Sequence, residues 1–299
     1  MKAKIKEQIE IQSMVLIAIV FLIIFAYVPM YGLQIAFREY HLVRGLENAA
    51  FIGFKYFKEF FHDNILPNVL RNTLYINIIS LVIGFPVPII LAILLTELRS
   101  NKFKRFAQTI SYLPHFLSWV IFGGLALEIL STGGLVNAFL TRANIITKPV
   151  NFMGLADYFY VIINVLSIVK TAGFSSILYI AAISGINGEL FESAYIDGCN
   201  RFKRIWYITI PMITGTVVIV LIFQVSAILN IGIEQTLILQ NGMNISASEV
   251  LDTYVYKIGI GRSRFSYATA VGLLKSIVSV LLLIGANGLS KKITEKGLF

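Results

Sequence analysis

Glu192-Ser193-Ala194-Tyr195-Ile196-Asp197-Gly198, closed by Ile208-Thr209-Ile210-Pro211, stands between two long apolar runs. Asn187-Gly188 ends the first run, and Glu189 and Glu192 fall where a new helix would begin, where carboxylates complement the positive end of the helix dipole. Leu190, Phe191, Ala194 and Tyr195 recur at helical spacing, which gives the short helix an apolar face for docking. Gly198 is placed as a left-handed cap that lets the chain reverse. After the basic, aromatic run 201–207, Pro211 suits the first turn of the next apolar helix. The segment 187–210 reads as a rigid lever held between two membrane helices and offered to a partner in the cytosol.

The rest of the chain supplies the membrane. Hydrophobic residues make up 57% of 299 residues, charged residues only 14%, and the mean hydropathy is +0.79. That is too apolar for a soluble domain and points to an integral protein of the lipid bilayer. A spanning helix needs about 20 mostly apolar residues. Six stretches qualify, at 14–32, 72–96, 107–130, 158–186, 211–233 and 267–289, within a single all-α transmembrane domain over 1–299. Pro86 and Pro88 remove backbone donors inside the second and predict a bent or broken helix there. The first run follows Lys2, Lys4 and Lys6 but is too long for a signal h-region, and no small-residue cleavage site follows it; it is expected to be a retained membrane helix.

Charge sets the expected orientation. With the N-terminus inside, short inner segments carry Lys2, Lys4, Lys6, Arg99, Lys102, Lys104, Arg105, Arg201, Lys203, Arg204, Lys291, Lys292 and Lys296. The outer loops, about 33–71, 131–157 and 234–266, are much longer for a similar number of basic residues, so basic density places both termini in the cytosol. The net charge of +9 therefore belongs to helix ends and lipid headgroups, not to nucleic acid. In the first outer loop, residues 51–61 are expected to form an amphipathic interfacial helix with its lysines reaching toward water.

With these residues in view, the stretch from Glu192 to Pro211 resembles the EAA loop of binding-protein-dependent ABC importer permeases. Ser193 stands where that family has its middle alanine, and Cys199 where a small alanine is common. The likeness runs over nearly the whole chain and narrows to the carbohydrate-importer group, through 31–37, Phe103-Lys104-Arg105, 112–119 and 265–273. The stretches 169–174 and 230–246 depart from that group's pattern. The resemblance implies a type I ABC importer permease fold in the bacterial cytoplasmic membrane. It implies that Glu192, Ser193, Ala194, Asp197, Gly198 and Pro211 couple the pore to a separate ATPase dimer. It also implies a second permease subunit, an extracytoplasmic solute-binding protein and a carbohydrate cargo, an oligosaccharide in the fuller reading, moved by alternating access.

Polar groups at mid-membrane depth are costly and mark candidate substrate paths. Lys170 lies about 18 Å into its helix, Gln224 is similarly deep, and Lys275 lies about 12 Å from the outer end of the sixth. Asn77, Asn164 and Asn230 add amides of the kind that bind sugar hydroxyls, though each of these six could equally make an interhelical hydrogen bond. The sequence places no acidic residue at mid-depth beside Lys170 and Lys275, so their ammonium groups could attract an anionic sugar. His115 is expected to bond a backbone carbonyl, and no histidine spacing suggests a metal site. Cys199, the single cysteine, reads as an inert small residue.

No phosphate-binding Gly-Lys-Ser or Gly-Lys-Thr loop occurs; 272–276 lacks the spacing. The chain is expected to hold no cofactor, ATP and Mg belonging to the partner ATPase, and to have no enzymatic site of its own. The rival readings are an ion-gradient-driven secondary transporter, which would need a buried carboxylate, and an intramembrane enzyme. His115 and Glu128 are the only candidates for the second, and they lie about 20 Å apart along a helix.

Overall fold

Prolines shape three of the membrane helices in the same way. In the computed structural model a π-helical turn ends two residues before each: Ile23–Tyr27 before Pro29, Ser80–Gly84 before Pro86 and Ile205–Thr209 before Pro211. A proline inside an α-helix has no N–H and its ring collides with the carbonyl four residues back. The wider turn answers both problems. The N–H groups of Val28, Phe85 and Ile210 bond five residues back, to the carbonyls of Ile23, Ser80 and Ile205, which relieves the crowding around the ring while the helix continues. The bend expected at Pro86 is therefore a π turn and not a break. Pro211 opens the regular α-helical part of its span, but the chain is already helical from Arg201.

The structure describes residues 2–294, 297 and 298, with side chains from residue 12 to residue 292 and at 297 and 298. Lys296, assigned to the inner face from sequence, lies outside the described residues, as do the side chains of Lys2, Lys4 and Lys6. Among the described residues, six helices are long and apolar enough to cross a membrane: Gln12–Phe37, Leu66–Thr96, Trp119–Arg142, Ala156–Ser184, Arg201–Ser226 and Phe265–Lys292. Four agree with the sequence spans to within six residues at each end, and two need correction. The third begins at Trp119, because 107–112 belongs to a separate helix, Asn101–Tyr112, and a 3₁₀ turn with Pro114 interrupts the chain at Leu113–Phe116. The fifth ends at Ser226 instead of running to residue 233; the chain leaves the helix there, and the Ile231 N–H is held by the Asp252 carboxylate at 2.7 Å.

The described chain falls into two compact units, Met1–Asp63 with Val255–Ser276, and Asn64–Tyr254 with Ile277–Phe299. In the first, Arg38–Glu39 pairs antiparallel with Ala50–Phe51, and Gly53, at φ +58°, turns the chain into a helix at Lys55–Phe61. The interfacial helix expected from residue 51 thus starts at Lys55, because the preceding residues are committed to the strand pair and the glycine turn. Phe57 and Phe60 are buried and Lys55 and Lys58 exposed, as its amphipathic pattern requires. Arg264 closes this unit with an ion pair to Glu59 at 2.6 Å and its guanidinium over the Tyr267 ring at 4.7 Å. Burial works against the Arg264 cation, yet the Glu59 hydrogen bond and charge raise its pKa above the ordinary arginine value. Tyr56 beside it is raised by burial first and by the Glu39 charge second.

The second unit holds the second to fifth spans. One cluster packs Ile76, Phe159, Ile163, Leu239 and Val250; another packs Ala92, Ile93, Tyr179, Ile183 and Ile213. Buried amides pin the loop that follows the fifth span. Asn72 donates to the carbonyls of Ser246 and Glu249, both at 2.9 Å, and accepts from the Tyr160 hydroxyl at 2.6 Å. Asn244 donates to the carbonyls of Met153 and Leu239. In a membrane-spanning unit such loops stay buried only because side chains satisfy their backbone.

Candidate coupling and transport site

The helix between the fourth and fifth spans covers Gly188–Ile196. Asn187 does not end the preceding membrane helix, which stops at Ser184. Its side chain instead caps the loop helix, accepting from the Glu189 N–H at 3.1 Å. At the other end Gly198 sits at φ +71°, with its N–H on the Tyr195 carbonyl and the Cys199 N–H on the Ala194 carbonyl at 2.9 Å. These two bonds make a Schellman cap, which only a residue at ease with positive φ completes without strain. Glu192, Ser193, Asp197 and Gly198 are exposed, and the Ser193 hydroxyl bonds back to the Glu189 carbonyl. The apolar face expected from Leu190, Phe191, Ala194 and Tyr195 is divided. Ala194 is buried and Phe191 half-buried, while Tyr195 and Ile196 are 74% and 84% exposed. Leu190 is exposed as well, so the open apolar residues are Leu190, Tyr195 and Ile196, with the acidic Glu192 and Asp197 also exposed.

A cavity of about 520 Å³ lies among the second, fourth and fifth spans. Ser80, Phe85 and Pro88 line it from the second span, Ser167, Thr171, Phe174 and Ser175 from the fourth, and Val220 and Gln224 from the fifth. Hydroxyls, one amide and aromatic rings on apolar walls can hydrogen-bond and stack against a polar ligand.

Gln224 alone among the path candidates of this unit lines that cavity. Lys170 is 5% exposed, and its ammonium donates to the carbonyls of Pro114, His115 and Leu117 at 3.2, 3.1 and 2.5 Å. The rings of Trp119 and Phe122 lie 5.4 and 5.8 Å from it. This buried cation satisfies the carbonyls freed where the third span is interrupted, so it faces protein instead of cargo. Asn77 donates to the carbonyls of Thr73 and Ile228, tying the second span to the end of the fifth; Asn164 donates to the Tyr160 carbonyl within its own helix. Asn230 is exposed in the loop beyond the fifth span. Lys275 belongs to the first unit, where it is half-buried and engaged. His115 makes no carbonyl bond through Nδ1, which has no partner among the described residues; its ring stacks on Phe174 at 4.0 Å.

Sequence reasoning missed the hydroxyls. Ser167, Thr171 and Ser175 recur every four residues, one stripe of a helix, and that periodicity was the available signal. A search restricted to amides and cations passes over it.

Six apolar helices, a hydroxyl-lined cavity walled by three of them and a capped, exposed helix between two of them define a polytopic membrane protein of the transport-subunit class. The chain belongs to the family described as binding-protein-dependent transport system inner membrane component, which matches residues 84–295. That range takes in the loop helix and most of the cavity wall. The chain is 39% identical to Protein LplB of Bacillus subtilis (strain 168) over 282 residues, 94% of this chain and 88% of that one. It is 37% identical over 297 residues to the polygalacturonan/rhamnogalacturonan transport system permease protein YteP of the same organism, covering 99% and 92%. Among solved structures, a chain of a bacterial alginate ABC transporter, crystallised in complex with an alginate pentasaccharide-bound periplasmic protein, superposes with a TM-score of 0.88 at 36% identity over 99% of this chain and 98% of that one. The permease fold and the family expected from the Glu192 to Pro211 stretch are thereby established.

Proposed function

We propose that this chain is one of two permease subunits of an ATP-driven importer that carries an oligosaccharide across the bacterial cytoplasmic membrane, with both termini in the cytosol. The observation that carries this reading is the loop helix, capped at both ends and open along Glu192, Tyr195, Ile196 and Asp197. A rigid exposed helix between two membrane spans has the form of a docking element for a separate ATPase dimer, which would hold ATP and Mg. Six spans, three of which wall the cavity, supply half of a pathway, so a second permease completes it. A solute-binding protein delivers cargo from outside, and nucleotide-driven closure of the ATPases moves the loop helices and exposes the cavity alternately to each side.

Oligosaccharide cargo is supported by the relatives named for polygalacturonan, rhamnogalacturonan and alginate transport. It is supported also by the cavity wall, whose hydroxyls and Gln224 amide can donate to and accept from sugar hydroxyls.

Liposomes holding this chain with its partner permease and ATPase, and supplied with the binding protein, test the reading. Uptake of labelled oligogalacturonate or alginate oligosaccharide should require ATP and stop with vanadate. Gly198→Asp and Glu192→Lys should each lower uptake by about 100-fold, equivalent to about 3 kcal/mol of lost docking energy, with insertion in the membrane retained. Normal uptake and normal ATPase co-purification in both variants would refute the assignment.

A further inference from the structure

The end of the second span and the start of the fifth are joined by one arginine. Arg201 follows the Asn200 cap, whose side chain accepts from the Lys203 N–H at 2.9 Å. The Arg201 Nη2 donates to the backbone carbonyl of Glu97 at 2.6 Å, and its Nε lies 3.2 Å from Glu97 Oε2. Glu97 is the C-cap of the helical run Pro86–Thr96. A guanidinium there meets both a carboxylate and the negative end of a helix, each favourable to it.

The two ends of that run differ in stiffness. Pro86–Thr96 is a regular helix of 11 residues, about 17 Å long. At its start stand Pro86, with no donor, and the Ser80–Gly84 π turn, and such a turn is where a helix bends most easily. Ser80, Gly84, Phe85 and Pro88 all line the cavity. A force applied at Glu97 therefore acts on a rigid arm whose soft joint is the cavity wall. Arg201 in turn lies just past the Schellman cap at Gly198, held to the loop helix by a short capped connection.

We infer that the Arg201–Glu97 clip transmits movement of the loop helix to the second-span wall of the cavity, making both positioning residues for transport; this rests on the loop helix docking on an ATPase. The clip bypasses the fourth span, which the chain itself places directly before the loop helix.

The test uses the assembled transporter with Cys199→Ser and Ser80→Cys, so that maleimide reports on the cavity wall in the nucleotide-free and the ATP-vanadate-trapped states. The labelling rate at position 80 should differ between the two states by about five-fold or more. Arg201→Ala should reduce the difference to about two-fold or less, with the ATPase still co-purifying and the melting temperature unchanged. Glu97→Ala keeps the carbonyl acceptor and should fall between, and the double variant should be no worse than Arg201→Ala alone, because both act through one contact. Should Arg201→Ala fail to assemble, Arg201→Gln takes its place and should likewise lose the difference. A state-dependent difference retained in the arginine variant, losses that add in the double variant, or no difference in the parent would each overturn the inference. Absence of the ATPase from the parent preparation would instead overturn the docking reading, and this inference with it.

Discussion

On the fourth membrane span Lys170 and Thr171 are adjacent in sequence and serve opposite surfaces. Lys170 is enclosed by the interrupted third span, with three carbonyls and two aromatic rings around its ammonium. Thr171 lines the cavity with Ser167 and Ser175 and returns its hydrogen to the Ser167 carbonyl at 2.8 Å, which leaves its oxygen able to accept. The difference lies in what each group must satisfy. A charge inside a membrane protein is retained only where several acceptors stabilise it, and the carbonyls released at residues 113–117 are such acceptors. Hydroxyls can be satisfied by their own helix and still face an open cavity. In this chain, then, the ammonium on the fourth span holds architecture and the hydroxyls mark the transport surface.

Removing the ammonium is the most severe way to break that contrast. Lys170→Met takes the ammonium from the His115 and Leu117 carbonyls and leaves the Pro114 carbonyl only the Leu117 N–H; it should destabilise the purified protein by about 3 kcal/mol, seen as a lower melting temperature in detergent. An unchanged melting temperature with lost uptake would return Lys170 to the transport path. Gly173→Ala tests the packing of the fourth span against the helix Asn101–Tyr112, since a Cβ there would overlap the carbonyl of Ser111. A cost of about 2 kcal/mol is expected from forcing those helices apart, and limited proteolysis should show earlier opening than in the parent. The mildest change sharpens the other side. Ser167→Ala with Ser175→Ala should leave melting within about 0.5 kcal/mol of the parent. The same pair should raise the half-saturating concentration for uptake by about 30-fold, at about 1 kcal/mol for each lost hydrogen bond. A fall in melting with unchanged uptake would exchange the roles assigned to the two faces.

Much of the loop helix was legible because its signals are local. Gly198 announces the reversal from its own backbone freedom, and the helical spacing of residues 190–195 shows the element, even though Asn187 turned out to cap it and not to end the helix before. The proline bends were legible as bends. Their form as π turns was not, because it depends on how neighbouring helices hold the chain on either side. The interruption of the third span was hidden by the apolar character of residues 107–130, although Pro114 stood inside the stretch. The compensating donor, Lys170, is separated from its acceptors by 53 to 56 residues. No local pattern records such a partnership. The same holds for the Arg201–Glu97 clip, whose members are 104 residues apart.

The sequence alone determined that the chain crosses a membrane with six helices and that a capped helix stands out between the fourth and fifth. Apolar length, helix caps and glycine conformation act within a few residues, so reading along the chain recovers them. Only the tertiary structure decided which polar residues support the fold and which line the cavity. Lysine, asparagine and serine carry no mark of that difference in themselves, because in a low-dielectric interior a polar group's role is set by the partner that meets it across the helix interface.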